Sequence, residues 1–512
     1  MSIAVTRAVA LRGVSGHLVD VECHIGRGLP AFDIGGLPDR ALRQAPGRVR
    51  AAVLSAEFSL NSSQVMVNLS PAAIPKHGTG FDLAIAVGAL AAAGELPVQA
   101  VREVVHVAEL GLDGQLRHVV GVLPSVLAAR AGGCRCVVVA PEDVAEARLV
   151  DGVRVVTARR LGDLVSLYRA ARSGEELPEA PDPEPVPPPS GRVIDLAEVS
   201  GQHEARSALT LAAAGGHHVL LTGPPGSGKT MLAERMVTIL PPLSQDQALE
   251  SLAVRSLVGA VPAGAAVDPT PPFVAPHHSA SVAALVGGGS GAVLPGAVSQ
   301  AHNGVLFLDE AAEFPTSVLQ ALRQPLESGR VVIARAREQV TFPARVQLVL
   351  AANPCPCGEG HGRGLACRCR PMERRTYAAR LSGPLLDRID IQVQVPKVSL
   401  AALSEAPGDS SAVVAAHVRQ ARAAQALRWA EGGWALNSQV PGPVLRRPPW
   451  RLPSSTTHQL DRALELGNLT GRGYDRVLRL AWTAADLAGR DVPSAGDIGM
   501  ALIYRTSGAA AA

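Results

Sequence analysis

Short apolar runs alternate with amphipathic stretches along most of the chain, and the period of each run predicts its element. HLVDVECHI (17–25) alternates as a half-buried strand does, with Leu18, Val19 and Val21 apolar. SSQVMVNLS (62–70) predicts a second strand. CRCVVVA (134–140) predicts a buried one, with Cys134 and Cys136 on one face as small apolar residues. RALRQAPGRVRAAVLSAEF (40–58) predicts a broken helix whose Arg40, Arg43, Arg48 and Arg50 read as a solvated face before they read as a DNA site. DLAIAVGALAAA (82–93) predicts an apolar helix. The apolar pattern then stops at SGEELPEAPDPEPVPPPS (173–190), where proline and glutamate predict an extended, mobile linker. Beyond it, Val219, Leu220 and Leu221 predict a short buried strand, and MLAERMVTIL (231–240) a helix. VLFLDEAAEF (305–314) and VQLVLAANP (346–354) each begin as a buried strand, and RLSGPLLDRIDIQVQV (380–395) reads as a loop followed by a strand. Four runs of helical spacing, beginning near 411, 454, 470 and 493, fill the rest, the last with Ser494 and Asp497 placed as a capping box.

This pattern divides the chain into an α/β part at 1–172, the linker at 173–190, an α/β core with a parallel sheet at 191–398, and a helical part at 399–512. A length of 512 residues fits about three domains. The formal net charge of +3 is too mild to imply nucleic acid, so a basic surface must be local. The opening residues show no signal peptide, and the apolar run 81–94 is too short for a bilayer and contains Asp82. The expectation is a cytoplasmic protein with no membrane partner. Four of the seven cysteines crowd into 355–369, which in a reducing compartment suggests metal or free thiols before disulfides.

The candidate chemistry sits at the ends of the predicted strands. Gly223, Pro224, Pro225, Gly226, Ser227, Gly228, Lys229 and Thr230 complete the pattern G-x-x-x-x-G-K-[ST] between a strand and a helix. Such a loop turns backbone N–H groups into one concavity at a helix N-terminus, which suits phosphate. Lys229 would reach the β- and γ-phosphates, and the Thr230 hydroxyl would hold Mg²⁺. Asp309 and Glu310 end a buried strand, where ligands bind in open α/β sheets. Asp309 would hold the same Mg²⁺, directly or through water, and Glu310 would orient and deprotonate the attacking water. Asn353 would hydrogen-bond that water or the γ-phosphate, or else be a turn residue before Pro354. Arg388 would project into a neighbouring subunit's site as a finger, or else pair with Asp387 or Asp390. Arg472 could reach back to the γ-phosphate, whereas Arg476 and Arg479 read as structural or surface charges. Cys355, Cys357, Cys367 and Cys369 could close a tetrahedral Zn²⁺ site with His361 as a spare ligand, or form a plain loop of free thiols.

The order of these motifs is that of an AAA+ ATPase, and longer segments narrow the resemblance. APHHSASVAALVGGG (275–289), PGAVSQAHNGVLFLDEAAEF, FPARVQLVLAANPCPCG and RLSGPLLDRID resemble the magnesium-chelatase-like AAA+ proteins. VECHIGRGLPAFDIGGLPD, VNLSPAAIPKHGTGFDLAIAVGALAA and GRGYDRVLRLAWTAADL are similar to the YifB/ComM family. The resemblance covers the chain apart from the linker and about 400–450. It implies an ATP-hydrolysing ring, usually a hexamer, that acts as a DNA helicase or translocase, with branch migration of incoming DNA during natural transformation. The implied alternative is a magnesium-chelatase-type motor that remodels a protein partner. It also implies a Lon-protease-like fold for the first part and a helical lid for the last. Gly80 stands where Lon's nucleophilic serine would be, so no peptidase activity is expected, and the first part would bind or assemble the ring. Two family inserts, around Gly287–Gly291 and at the hairpin RVVIARAREQVTF (330–342), line the pore in related helicases. There Arg335 and Arg337 would contact single-stranded or branched DNA, or else stay on a solvated hairpin.

Overall fold

The computed structural model describes residues 2–26, 29–60, 64–171, 176–182, 194–261, 266–289, 292–335, 338–360, 366–381 and 383–506. Arg337, His361, Gly291 and most of the linker lie outside the described residues.

The first half builds one mixed sheet. Its elements are β1 (Ser2–Arg12), β2 (Ser15–Gly26), β3 (Ala31–Gly35), α1 (Ala45–Ser55), β4 (Gln64–Ser70), α2 (Asp82–Ala92), β5 (Val104–Val107), α3 (Val122–Ala131), β6 (Cys136–Val139), β7 (Arg154–Thr157) and α4 (Leu161–Ala170). The strand order is β3-β4-β2-β1-β5-β6-β7. β1, β2 and β4 pair antiparallel, and the rest join in parallel. Every residue of α2 is buried, which explains a helix with no polar face. Cys134 and Cys136 do not share a strand face. The chain is still closing α3 at Cys134, whose N–H donates to the Ala129 carbonyl, so the two-residue alternation starts only at Cys136. The two thiols accordingly pack into different apolar clusters. The linker expectation also needs correction over 176–182. Ala180 N–H donates to Val155 of β7 at 2.7 Å, and Leu177 and Ala180 are buried against this sheet.

The second half is built on a five-stranded parallel sheet. In chain order come α5 (His203–Gly215), β8 (Val219–Thr222), α6 (Lys229–Ile239), α7 (Gln245–Ser256), β9 (Phe273–Val274) and β10 (Val305–Leu308). The hairpin strands β11 (Arg330–Ala334) and β12 (Gln339–Pro343) follow, then β13 (Gln347–Ala352), α8 (Pro371–Arg380) and β14 (Ile391–Gln394). The order is β9-β10-β13-β8-β14, every neighbour parallel. β10 and β13 are buried throughout, so they read as continuous apolar runs. The stretch expected to be a loop before β14 instead holds a helical turn, Gly383–Leu386, just after α8. Helices α9 (Ser411–Trp429), α10 (Ser454–Glu465), α11 (Gly471–Leu487) and α12 (Ala495–Thr506) close the chain. The Ser494–Asp497 capping box forms as expected.

Among the described residues, the halves meet at α7 and at the hairpin. Leu249, Leu252 and Ala253 of α7 pack with Val122, Leu123 and Val126 of α3. Glu146 accepts from the Ser256 hydroxyl and the Leu123 N–H there. The hairpin also lies against the β1–β2 turn, where a Cβ on Gly13 would come within 2.8 Å of the Thr341 carbonyl.

The helical part is tied to the parallel sheet through Asp390. It pairs with Arg476 of α11 and with His217 at 3.2 Å. Burial opposes its ionisation, yet Arg476 and His217 outweigh burial and hold its carboxyl well below the usual range. A depressed carboxylate adds stability above its unfolded pKa of about 4 and loses it as pH falls through the folded value. Arg476→Ala leaves that charge buried without its cation and is expected to cost about 3–5 kcal/mol at neutral pH, read by urea unfolding. The same variant should show a smaller deficit in acid, because protonated Asp390 no longer needs the partner.

Candidate nucleotide site

The parallel order puts β10, β13 and β8 side by side, so their carboxyl ends meet at one sheet edge. The glycine loop leaves β8 and turns into α6. Gly226 (φ 72°) and Gly228 (φ 91°) adopt left-handed backbone that side chains rarely take. A Cβ at Gly223 would meet the Val395 carbonyl at 2.2 Å, so that position admits only glycine. Ser227 is buried, and its carbonyl accepts from Gln202 Nε2 at 3.3 Å. Pro224 and Pro225 complete the loop, and the Pro224 carbonyl points inward.

Lys229 is buried at the first turn of α6. Its Nζ donates to the carbonyls of Gly223 (2.7 Å) and Pro224 (2.9 Å) and to Asn353 Oδ1 (3.2 Å). Burial lowers its pKa, against the opposing pull of Asp309 and Glu310. The Thr230 hydroxyl donates to Asp309 Oδ2 at 2.7 Å, and Glu310 N–H donates to Asp309 Oδ1 at 2.8 Å. Hydroxyl and carboxylate thus stand as adjacent oxygen donors, a set that fits a hard divalent cation such as Mg²⁺. Glu310 itself is exposed and left-handed (φ 50°), an unusual backbone for a side chain of this size and one that active sites concentrate. Lys229, Thr230, Asp309, Glu310 and Asn353 therefore come together as the sequence reading expects, from three strands far apart in the chain.

One partner escaped that reading. His278 Nδ1 lies 3.1 Å from Glu310 Oε2, and its ring sits beside His277 at 4.1 Å between centroids. The only sequence signal was the pair of histidines in APHHS; nothing local links them to a residue 32 positions later.

The two arginines stand apart from this group. Arg388 pairs with Glu327 and donates to the Pro384 carbonyl at 2.5 Å, and its buried Nε has no hydrogen-bond partner among the described residues. It meets neither acid of the expected alternative: Asp387 holds Arg505 and Asp390 holds Arg476. Arg472 is exposed on the first turn of α11. Arg335 pairs with Glu338 at 3.6 Å and donates to the Gly289 carbonyl, which ties the hairpin to the other insert.

Directly after Asn353 comes the cysteine loop. Cys355 Sγ lies 3.4 Å from Cys357 and 3.6 Å from Cys367, and Cys357 lies 3.7 Å from Cys367. All four thiol sulfurs, Cys369 included, lie within 4.8 Å of one another. Cys355 is buried, which pushes its thiol up to about 12, while the N–H groups of Glu359 and Arg368 bring Cys357 down to about 6.

Three family models match the chain. The model "Magnesium chelatase, subunit ChlI" matches residues 195–403, "Subunit ChlI of Mg-chelatase" matches 21–143, and "Magnesium chelatase, subunit ChlI C-terminal" matches 408–505. An uncharacterized protein of Mycobacterium tuberculosis is 46% identical over 99% of this chain and 100% of its own length. Competence protein ComM of Haemophilus influenzae is 41% identical over 99% of this chain and 98% of its own. The Escherichia coli protein YifB is 39% identical over 99% and 97%. With likeness along the full length of the chain, it belongs to the YifB/ComM family of magnesium-chelatase-like AAA+ ATPases.

Proposed function

We propose that this ATPase is a DNA translocase that works as a homo-oligomeric ring, a hexamer, and drives branch migration of incoming DNA. The observation that carries the reading is the meeting of Lys229, Thr230, Asp309, Glu310 and Asn353 at one sheet edge. In this reading the loop 223–230 holds the phosphates of ATP, and Lys229 exchanges its carbonyl partners for phosphate oxygens. Thr230 and Asp309 hold Mg²⁺, which neutralises phosphate charge when bound. Glu310 takes the proton of the attacking water, Asn353 orients that water, and His278 fixes the Glu310 carboxylate. Arg388 completes the site of the next subunit, and Arg472 senses the γ-phosphate from the lid. The four thiols add structural Zn²⁺.

The parts at 1–172, 191–398 and 399–512 divide the work as ring module, motor and lid, and the cell interior is its place of action. The name of the Haemophilus influenzae relative, competence protein, supports DNA as the substrate. Arg335, on the hairpin joined to the 287–289 insert, and Arg337 are the phosphate contacts. The matches to magnesium chelatase favour a second reading, a motor that remodels a protein partner.

The test is ATP hydrolysis with and without single-stranded and branched DNA, followed by a branch-migration assay. DNA is expected to raise the rate severalfold. Hydrolysis indifferent to every DNA would overturn the translocase and leave the protein-remodelling motor. His278→Ala, which removes the group that orients Glu310, is expected to lower kcat on the order of tenfold with KM nearly unchanged.

A further inference from the structure

We propose that Cys355, Cys357, Cys367 and Cys369 bind one zinc ion, and that this metal clamps the loop after Asn353 against the phosphate loop. The proposal rests on the reading of 223–230 as a nucleotide loop. A tetrahedron of Zn–S bonds of about 2.3 Å has edges of about 3.8 Å. The sulfur separations of 3.4, 3.6 and 3.7 Å approach that edge length. They are far too long for a disulfide, whose sulfurs lie about 2 Å apart. Four sulfurs gathered this closely, from two C-x-C pairs, form an all-thiolate donor set. Such a set takes a soft or borderline metal and leaves no coordination position for substrate, which makes the site structural.

The link to the phosphate loop is a backbone contact. Gly358 N–H donates to the Cys355 carbonyl at 2.9 Å and closes a turn between two of the sulfur donors. Gly358 has φ 77°, and a Cβ on it would stand 2.5 Å from Cδ of Pro225. The proline ring is anchored to the phosphate loop's own backbone and cannot swing aside. Gly360 is packed as closely, since its Cβ would meet Cys355 Sγ at 2.9 Å. The loop also follows directly on Asn353, which holds Lys229. A metal at the four sulfurs therefore presses one end of this segment onto Pro225 and fixes the other at Lys229. Removing it releases both restraints on the loop that must cradle phosphate.

The test uses the full chain purified under reducing conditions without added metal. One zinc per chain is expected by elemental analysis. Cys357→Ser/Cys369→Ser should lose it and Cys136→Ser should keep it. Cobalt exchanged into the site should give the ligand-field bands of tetrahedral thiolate. A fluorescent ATP analogue then reports the coupling: stripping the zinc is expected to weaken binding on the order of tenfold, and returning it to restore binding. Gly358→Ala keeps all four thiols, so it should retain zinc and still weaken binding, even if the stripped protein loosens globally. A reduced wild type that takes up neither zinc nor cobalt would overturn the site, and an iron-coloured protein would overturn zinc. Zinc at full occupancy, with binding unchanged in both the stripped protein and Gly358→Ala, would overturn the clamp. A zinc-loaded wild type that binds no nucleotide would overturn the phosphate-loop reading, and the clamp with it, while the metal count would stand.

Discussion

Glu310→Gln is expected to lower the rate of ATP hydrolysis by a factor on the order of 10² to 10⁴ while nucleotide binding stays intact. The amide keeps the length of the side chain and still meets His278, now through a neutral hydrogen bond, but it cannot take a proton from water. Neither Asp309 nor Asn353 replaces it. Asp309 is occupied by the Thr230 hydroxyl and the Glu310 N–H, and Asn353 by the Lys229 ammonium. Single-turnover hydrolysis and equilibrium binding of a fluorescent ATP analogue separate the two effects. Asp309→Asn should behave differently, losing affinity for the Mg²⁺ complex as well as rate, because that carboxylate is an oxygen donor beside Thr230. Wild-type turnover in Glu310→Gln would place the base elsewhere.

The second large effect concerns Arg388. Removing an arginine that stabilises transition-state charge costs about 10³ to 10⁵ in rate where the finger is fully engaged. Arg388→Ala is therefore expected to abolish turnover in the assembled protein while each subunit still binds nucleotide. Within one chain Arg388 rests against Glu327, a half-exposed carboxylate, and its Nε has no partner among the described residues. A partly exposed pair of this kind contributes about 0–1 kcal/mol, little enough for the guanidinium to leave it for a phosphate. The decisive measurement mixes two inactive variants, Arg388→Ala and Lys229→Ala. If the arginine serves the neighbour's site, some junctions in the mixture combine an intact Lys229 with an intact Arg388, and hydrolysis returns. If it serves its own fold or its own site, mixing restores nothing.

The legibility of this chain follows the distance over which each feature is specified. The phosphate loop, the Asp309–Glu310 strand end and Asn353 are runs of adjacent residues whose spacing carries their geometry, so each appeared in the pattern alone, whereas the hairpin 330–342 came only through the family resemblance. Cys134 and Cys136 show where local pattern misleads. Two residues apart looks like one strand face, yet the helix before them closes one residue too late for the alternation to include both. The segment 176–182 misled for the opposite reason. Its composition is that of a free linker, but a backbone hydrogen bond to β7, two buried apolar side chains and contacts from Arg148 and Arg154 dock it.

By itself the sequence determined the strands and the helix around the site, the identity of the groups at each strand end and, through long motifs in order, the family. Only the tertiary structure decided which of those groups meet. β13 inserts between β8 and β10, which brings Asn353 to Lys229 and Asp309 to Thr230 at one edge. The same packing sets His278 on Glu310, Glu327 on Arg388, and Gly358 on Pro225. These are contacts between residues many positions apart, fixed by strand order and by the burial of both sheet faces, and neither quantity has a local signature in the chain.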